Sequence, residues 1–198
     1  MHKEQAEEAE AQQSTLASTV VSERVSPGIG SQTPIAPAIH GLPGKPPEVN
    51  VDQLAFRAEQ AKKAHDYEQA ISVANTIIDR TDTTENQRAL AWIVLGESLA
   101  CKGDLAAGET ELHKAEGNLA HGYRALSGLG AIAAANEKYD DAERMFRRSL
   151  SLVRENDNAL AGLGICAMKR NHAQDGWDYF KKALEVNPEN MRAICGLI

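Results

Sequence analysis

The chain has 198 residues, with 21 lysines and arginines against 28 aspartates and glutamates, so its formal net charge is −7. Hydrophobic residues make up 42% and charged residues 25%, a composition that fits neither a wholly disordered chain nor a membrane protein. The excess of negative charge argues against nucleic acid as a partner, because phosphate affinity requires a dense lysine and arginine surface. No apolar run is long enough for a membrane-spanning helix, so we expect no membrane span.

The cysteines indicate the compartment. Cys101, Cys166 and Cys195 are widely separated and odd in number, which is typical of neither a disulfide framework nor a metal site. The first residues carry no recognisable secretory signal. We therefore expect a cytoplasmic protein.

The composition changes sharply near residue 50. Residues 1–50 contain six of the seven prolines and no aromatic residue. A segment without large apolar groups cannot offset its ordering entropy by burial, so we predict that 1–50 is a disordered, proline-containing tail. Its segment Pro34–Pro47 is a candidate to dock in a neutral apolar groove, because tethering raises its effective concentration.

Residues 51–198 show helical periodicity with short breakers and no strand pattern. Trp92–Gly96, Leu126–Gly130 and Leu160–Gly164 align, and their final glycines are 34 residues apart. The second halves of these copies keep the spacing with three small residues and three bulky ones: Gly108, Ala142, Gly176 and Leu112, Phe146, Phe180. A weaker first copy is followed by four extra residues around 81–84. We predict repeats at the following ranges: 51–84, 89–122, 123–156, 157–190 and the start of a further helix at 191–198.

This pattern resembles the tetratricopeptide repeat (TPR) family over roughly residues 51–198. The residues that carry the resemblance are Trp92, Leu95, Gly96, Leu129, Gly130, Ala142, Phe146, Leu163, Gly164, Phe180, Ala183 and Pro188. Two copies depart from the family pattern by having Ala120 and Arg154 in place of its closing proline. The resemblance implies an all-α fold, a right-handed superhelical solenoid of antiparallel helix pairs.

The repeated glycines also have a direct physical interpretation. A glycine inside a helix costs about 1 kcal/mol relative to alanine, so its recurrence at one register indicates a steric need. We predict that Gly96, Gly130 and Gly164 each allow close approach of the partner helix. One helix pair cannot bury its apolar face alone, so neighbouring pairs must stack.

Motifs that would indicate chemistry are scarce. Gly128-x-Gly130 and Gly162-x-Gly164 lie within predicted helices and follow no strand, which favours packing over phosphate binding. His113 and His121 have no nearby cysteine and are weak metal candidates. We therefore expect no catalytic residue, no metal and no cofactor.

Two further side chains are candidates for reactive or binding roles. Cys166 has no histidine or lysine partner nearby in sequence, so we expect an unreactive thiol. Trp177 follows the small residue Gly176, and we expect it to pack in the core rather than to form a binding platform.

The resemblance implies that the first helix of each pair lines a concave face. The predicted partner-binding residues on that face are Ile93, Glu97, Ser127, Ala131, Ala134, Asn158, Ala161, Ile165 and Met168, and the same face is expected to carry Ala55, Glu59, Lys62, Ala100 and Lys169. Its small apolar centre suits an extended peptide or an amphipathic helix of another protein. The alternative is that small residues serve only tight winding of the superhelix.

Family members that hold chaperone C-terminal tails grip carboxylates with a clamp of lysine and asparagine. This sequence has Ile93 and Glu97 at the corresponding places of the second copy, and Ser127 and Ala131 in the third. We therefore predict no tight binding to acidic C-terminal tails.

The sequence favours a non-catalytic scaffold or adaptor over two alternatives. One is a helper domain of a larger enzyme, for example a glycosyltransferase or methyltransferase that continues beyond Ile198, because the last copy stops within a helix. The other is a self-assembling scaffold that associates through its open repeat ends, around Ile194 and Leu197.

Overall fold

The computed structural model describes residues 49–198. The predicted tail, apart from its last two residues, lies outside the described residues, as does the proposed docking of Pro34–Pro47. The predicted all-α fold is confirmed, since the described part of the chain contains nine helices and no strand. The helices are α1 (Val51–Lys63), α2 (Tyr67–Ile78), α3 (Glu85–Cys101), α4 (Leu105–Ala115), α5 (Gly122–Ala135), α6 (Tyr139–Leu152), α7 (Asp157–Lys169), α8 (Ala173–Val186) and α9 (Met191–Gly196).

The helices stack as a solenoid. Helices α1 to α8 form four successive pairs, and each pair is joined by a three-residue turn that reverses the chain. The second helix of each pair also packs against the first helix of the next pair. The first helices α1, α3, α5, α7 and α9 contact one another in sequence, so they form one continuous layer. Among residues 49–198, every helix is too short or too polar to span a lipid bilayer.

The turn within each pair has one conformation. The middle residue of each turn has a left-handed φ, namely 61° at His65, 98° at Gly103, 60° at Glu137 and 64° at Asn171. Only glycine adopts this region without steric cost, but the turn keeps it in all four pairs. The breakers recognised in the sequence are therefore the turns that close the pairs.

The central packing unit is a bulky side chain held between two glycines. A β-carbon on Gly130 would lie 2.7 Å from Cε1 of Phe146, and a β-carbon on Gly162 would lie 2.5 Å from the same atom. Gly130 belongs to the same pair as Phe146, whereas Gly162 belongs to the next pair. Leu112 is held in the same way between Gly96 and Gly128. The first glycine in each case lets two helices of a pair approach, and the second lets the next pair stack.

The extra residues after the first repeat lengthen a helix. Helix α3 has 17 residues, whereas α5 has 14 and α7 has 13. Eleven positions separate Glu85 from Gly96, against eight from Gly122 to Gly130. The insertion predicted around residues 81–84 therefore adds about one turn to the start of α3. Thr84 caps that turn through a reciprocal capping box with Gln87.

Trp177 lies outside the core, so the prediction that it packs there is wrong. Its side chain is 47% exposed, although the preceding Gly176 is buried. Successive helical positions are rotated by about 100°, so the residue after a buried glycine turns away from the partner helix. Pro188 is also exposed, just after the end of α8.

Two buried serines give a test of how polar groups are satisfied. Ser98 is fully buried and its hydroxyl has no hydrogen-bond partner among the described residues. Ser149 is equally buried, but its Oγ donates to the carbonyl of Tyr123 at 2.7 Å and accepts from Asn156 at 2.7 Å. We expect Ser98→Ala to raise the free energy of unfolding by about 1 kcal/mol, because it removes an unpaired buried hydroxyl and favours the helix.

The matched variant Ser149→Ala should lower the free energy of unfolding by about 1–3 kcal/mol, because it leaves the groups around it unpaired. Urea denaturation of both variants measures the difference. Equal destabilisation by the two substitutions would contradict this account of Ser98.

Candidate functional site

A groove of about 1070 Å³ runs along the layer of first helices. Its lining residues are Asp52, Ala55, Phe56, Glu59, Gln60, Lys62, Lys63, Tyr67, Leu90, Glu97, Ala100, Cys101, Leu105, Leu112, Tyr123, Arg124, Ser127, Gly128, Ala131, Ile132, Ala135, Val153, Glu155, Asn156, Asp157, Asn158 and Arg192. Most of them belong to α1, α3, α5 and the start of α7. Repeats one to four thus contribute to a single surface.

The register of the repeats explains which side chains face the groove. Leu90, Arg124, Asn158 and Arg192 follow one another at intervals of 34 residues, and all four line it. Because each first helix has the same orientation in the stack, equivalent positions form a row across the layer. The chemistry of this row changes from apolar to cationic to amide and back to cationic.

The structure places four of the nine predicted partner-binding residues on the groove, namely Glu97, Ser127, Ala131 and Asn158. Of the further residues expected on this face, Ala55, Glu59, Lys62 and Ala100 line it, whereas the exposed Lys169 does not.

The placement of Ile93 and Ala161 on the groove is corrected by the structure. Both side chains are fully buried. Ile93 belongs to the core cluster that contains Leu112 and Leu129, and Ala161 belongs to the cluster that contains Phe180. They lie between layers of helices, so neither can touch a partner without unfolding.

Ala134, Ile165 and Met168 are not among the groove residues either. Ala134 packs beside the cluster around Phe146, and Ile165 packs beside the cluster around Phe180. The side chain of Met168 lies over Gly176, where a β-carbon would come 2.7 Å from its sulfur. The groove therefore uses the N-terminal half of α7 and not its C-terminal half.

Four charged side chains form an ionic network on the groove, and we call this set the ionic bridge: Glu59, Lys62, Glu97 and Arg124. Lys62 Nζ lies 3.1 Å from Glu59 and also pairs with Glu97. Arg124 Nη2 lies 2.5 Å from Glu59 Oε1. The bridge joins α1, α3 and α5, so it connects three successive pairs.

The protonation of the ionic bridge follows from its geometry. Burial alone would raise the pKa of Glu59, but the charges and hydrogen bonds of Arg124 and Lys62 lower it overall. Burial opposes the charge of Lys62, and Glu97 and Glu59 raise its pKa nonetheless. The pKa of Arg124 is raised against burial by Glu97 and Glu59 as well. These shifts all favour the charged forms of Glu59, Lys62 and Arg124.

Sequence reasoning missed Arg124. The sequence predicts that Asn158 lies on the groove, and Arg124 occupies the equivalent position 34 residues earlier. Its contact with Glu59 joins residues 65 positions apart. A contact between the first and third helix pairs cannot be predicted from a local sequence pattern.

The cysteines are the candidate reactive side chains. Cys101, Cys166 and Cys195 are free. Burial raises the pKa of the Cys166 thiol, which agrees with the expectation that it is unreactive. Within residues 49–198, no group of three His, Cys, Asp or Glu side chains is arranged to hold a metal ion. His113 Nδ1 instead lies 3.0 Å from Oε2 of Glu116, the residue that caps the C-terminus of the same helix.

The chain resembles known proteins in its structure. The sequence matches no protein-family model and no curated protein sequence. A crystal structure of MamA has a TM-score of 0.52 at 20% identity, with 71% of this chain and 80% of that chain covered. YrrB, described as a TPR protein with an unusual peptide-binding site, has a TM-score of 0.52 at 14% identity over 74% of each chain. The chain has the TPR fold.

A third TPR-like neighbour extends the comparison. PilW, a widely conserved type IV pilus biogenesis factor, has a TM-score of 0.57 at 20% identity, with 69% of this chain and 62% of that chain covered. At these identities the likeness establishes the TPR fold alone. The binding properties of this TPR solenoid therefore depend on its own surface residues.

Proposed function

We propose that the chain is a non-catalytic scaffold that binds an extended segment or an amphipathic helix of another protein in the groove. The observation that carries the proposal is the groove itself, which draws its lining from four successive helix pairs. Peptide binding across stacked repeats is a common use of such surfaces. YrrB, which shares the fold, is described as having a peptide-binding site.

The lining favours an uncharged segment. Ala55, Phe56, Leu90, Ala131 and Val153 give the groove apolar surface. Phe56 is 65% exposed, so a partner that covers it gains hydrophobic burial. Between these residues the ionic bridge has no charge left to satisfy. A charged partner side chain that reaches the ionic bridge would lose hydration without finding an unpaired counter-charge there.

The free cysteines support an intracellular, reducing location, so we also propose a cytoplasmic protein. The absence of tight binding to acidic C-terminal tails stays a prediction.

Selection from a random peptide library tests the binding site. We expect peptides selected on the full chain to be poor in charged residues at their centre. Their affinity should fall at least about tenfold with Phe56→Lys or Asn158→Lys, because each substitution places an unpaired charge in the groove. Both residues are exposed, so neither substitution disturbs the core.

Trp177→Lys is the matched control, since it removes a similarly exposed aromatic side chain from α8, outside the groove. The binding site would lie outside the groove if the affinity fell with Trp177→Lys but persisted with Phe56→Lys and Asn158→Lys. Fluorescence anisotropy with a selected, labelled peptide measures all three variants.

A further inference from the structure

The ionic bridge contains two cations that face the groove but are held by the protein's own carboxylates. Lys62 and Arg124 both line the groove, and so do Glu59 and Glu97. The four side chains are between 19% and 27% exposed, so solvent screens them only in part. Charges that are this far removed from water interact more strongly than surface charges do.

The arrangement resembles an anion site that is already occupied. Glu59 accepts a hydrogen bond from Arg124 at 2.5 Å and lies 3.1 Å from Lys62 Nζ. Glu97 forms a second ion pair with Lys62. Each cation therefore has a carboxylate at hydrogen-bonding distance. These are the positions that a carboxylate of a bound acidic segment would otherwise take.

A carboxylate that enters the groove gains little in this state. To reach Lys62 or Arg124 it must displace an internal carboxylate of equal charge, which exchanges one ion pair for another. It also comes close to the remaining internal carboxylate and is repelled. Repulsive groups of this kind can discriminate between partners as effectively as attractive groups do.

The other charged residues on the groove make no ion pair within residues 49–198, and they are Asp52, Lys63, Glu155, Asp157 and Arg192. Lys63 and Arg192 are exposed and make no ion pair within the described residues, so water and salt screen them. Glu155 is an exposed carboxylate on the groove and also has no ion-pair partner there. It provides the comparison for a carboxylate that holds no cation.

We propose that Glu59 and Glu97 determine the specificity of the groove by occupying Lys62 and Arg124 and thereby excluding acidic segments. The proposal rests on the proposed function, since it takes the groove as the binding site. Removal of the internal carboxylates releases two partly buried cations toward the groove. The groove then becomes a site for acidic peptides.

The test uses the full chain with Glu59→Gln and two labelled peptides that alternate alanine with either glutamate or glutamine. We expect the variant to bind the glutamate peptide at least about tenfold more tightly than the unmodified chain, with no gain for the glutamine peptide. The gain should shrink as salt is raised from about 50 mM to about 500 mM, because released charges are screened. Fluorescence anisotropy gives both affinities.

Glu155→Gln is the matched control, because it removes one carboxylate from the same groove without releasing a cation. An equal gain in Glu155→Gln would overturn the proposal and assign the effect to net charge. The double variant Glu59→Gln/Arg124→Gln should lose most of the gain. A folded Glu59→Gln variant that gains nothing for the glutamate peptide would also overturn the proposal.

Glu97→Gln keeps the test decisive if circular dichroism shows that Glu59→Gln does not fold. It loosens Lys62 while the pair between Arg124 and Glu59 remains, and a smaller gain is expected. No gain in that folded variant would then overturn the proposal. The proposed function is tested separately, because selected uncharged peptides must still respond to Phe56→Lys whether or not the acidic peptide binds.

Discussion

Phe146→Ala is expected to lower the free energy of unfolding by about 3–5 kcal/mol, the range found for fully buried aromatic residues. Phe146 is 1% exposed and its ring lies against Gly130 on one side and Gly162 on the other. Neither glycine has a side chain that can move into the space left by the ring. The cavity therefore stays open, and two helix pairs lose their common contact. Urea denaturation followed by far-UV circular dichroism measures the loss.

Leu152→Ala is the control for this substitution. Leu152 is on the same helix, α6, but is 61% exposed. Its truncation should change the free energy of unfolding by less than about 0.5 kcal/mol, as surface substitutions usually do. If Phe146→Ala cost no more than Leu152→Ala, the packing unit described for the solenoid would be wrong.

Gly162→Ala is expected to lower the free energy of unfolding by about 1–3 kcal/mol, although alanine favours a helix over glycine. A β-carbon at this position would lie 2.5 Å from Cε1 and 2.6 Å from Cε2 of Phe146. The ring cannot retreat, because the opposite side is filled by Gly130, where a β-carbon would lie 2.7 Å from Cε1. One of the helix pairs must shift to accommodate a single methyl group.

A second substitution separates this clash from other causes. Leu occupies the equivalent place at position 112, between Gly96 and Gly128, so Phe146→Leu is compatible with the fold. The cost of Gly162→Ala should be smaller in a Phe146→Leu background, because the shorter side chain leaves room for the methyl group. Gly117→Ala should be close to neutral, because no atom beyond residue 117 and its two chain neighbours would lie within 4 Å of the new β-carbon. Additive effects of Gly162→Ala and Phe146→Leu would exclude a direct clash.

The sequence was sufficient to predict most of the fold because steric needs recur with the repeat. Gly96, Gly130 and Gly164 mark the close approach of two helices, and the structure places bulky side chains over all three. Gly128 and Gly162, which the sequence indicates only as packing positions within helices, form a second series with Gly196. The role of this series in stacking depends on the relative position of two helix pairs. The sequence of a single repeat does not contain that information.

The groove was predicted less completely, for a physical reason. Ile93, Ser127 and Ala161 occupy equivalent positions and all three are buried, but Ser127, at 6% exposure, reaches the groove, whereas the other two are fully buried. The position lies at the boundary between the exposed face and the core. Which side it joins depends on how closely neighbouring helices approach, and that distance is a property of the assembled stack.

The contact between Arg124 and Glu59 affects how the helix pairs of the solenoid unfold locally. Units of a linear array ordinarily touch only their immediate neighbours, so an end can peel away one unit at a time. Here the third pair is tied to the first, and α1 cannot fray without also releasing a side chain of α5. The first three pairs should consequently exchange their amide hydrogens as one cooperative block, whereas α7 and α8, on the far side of that tie, retain the graded opening of an ordinary array.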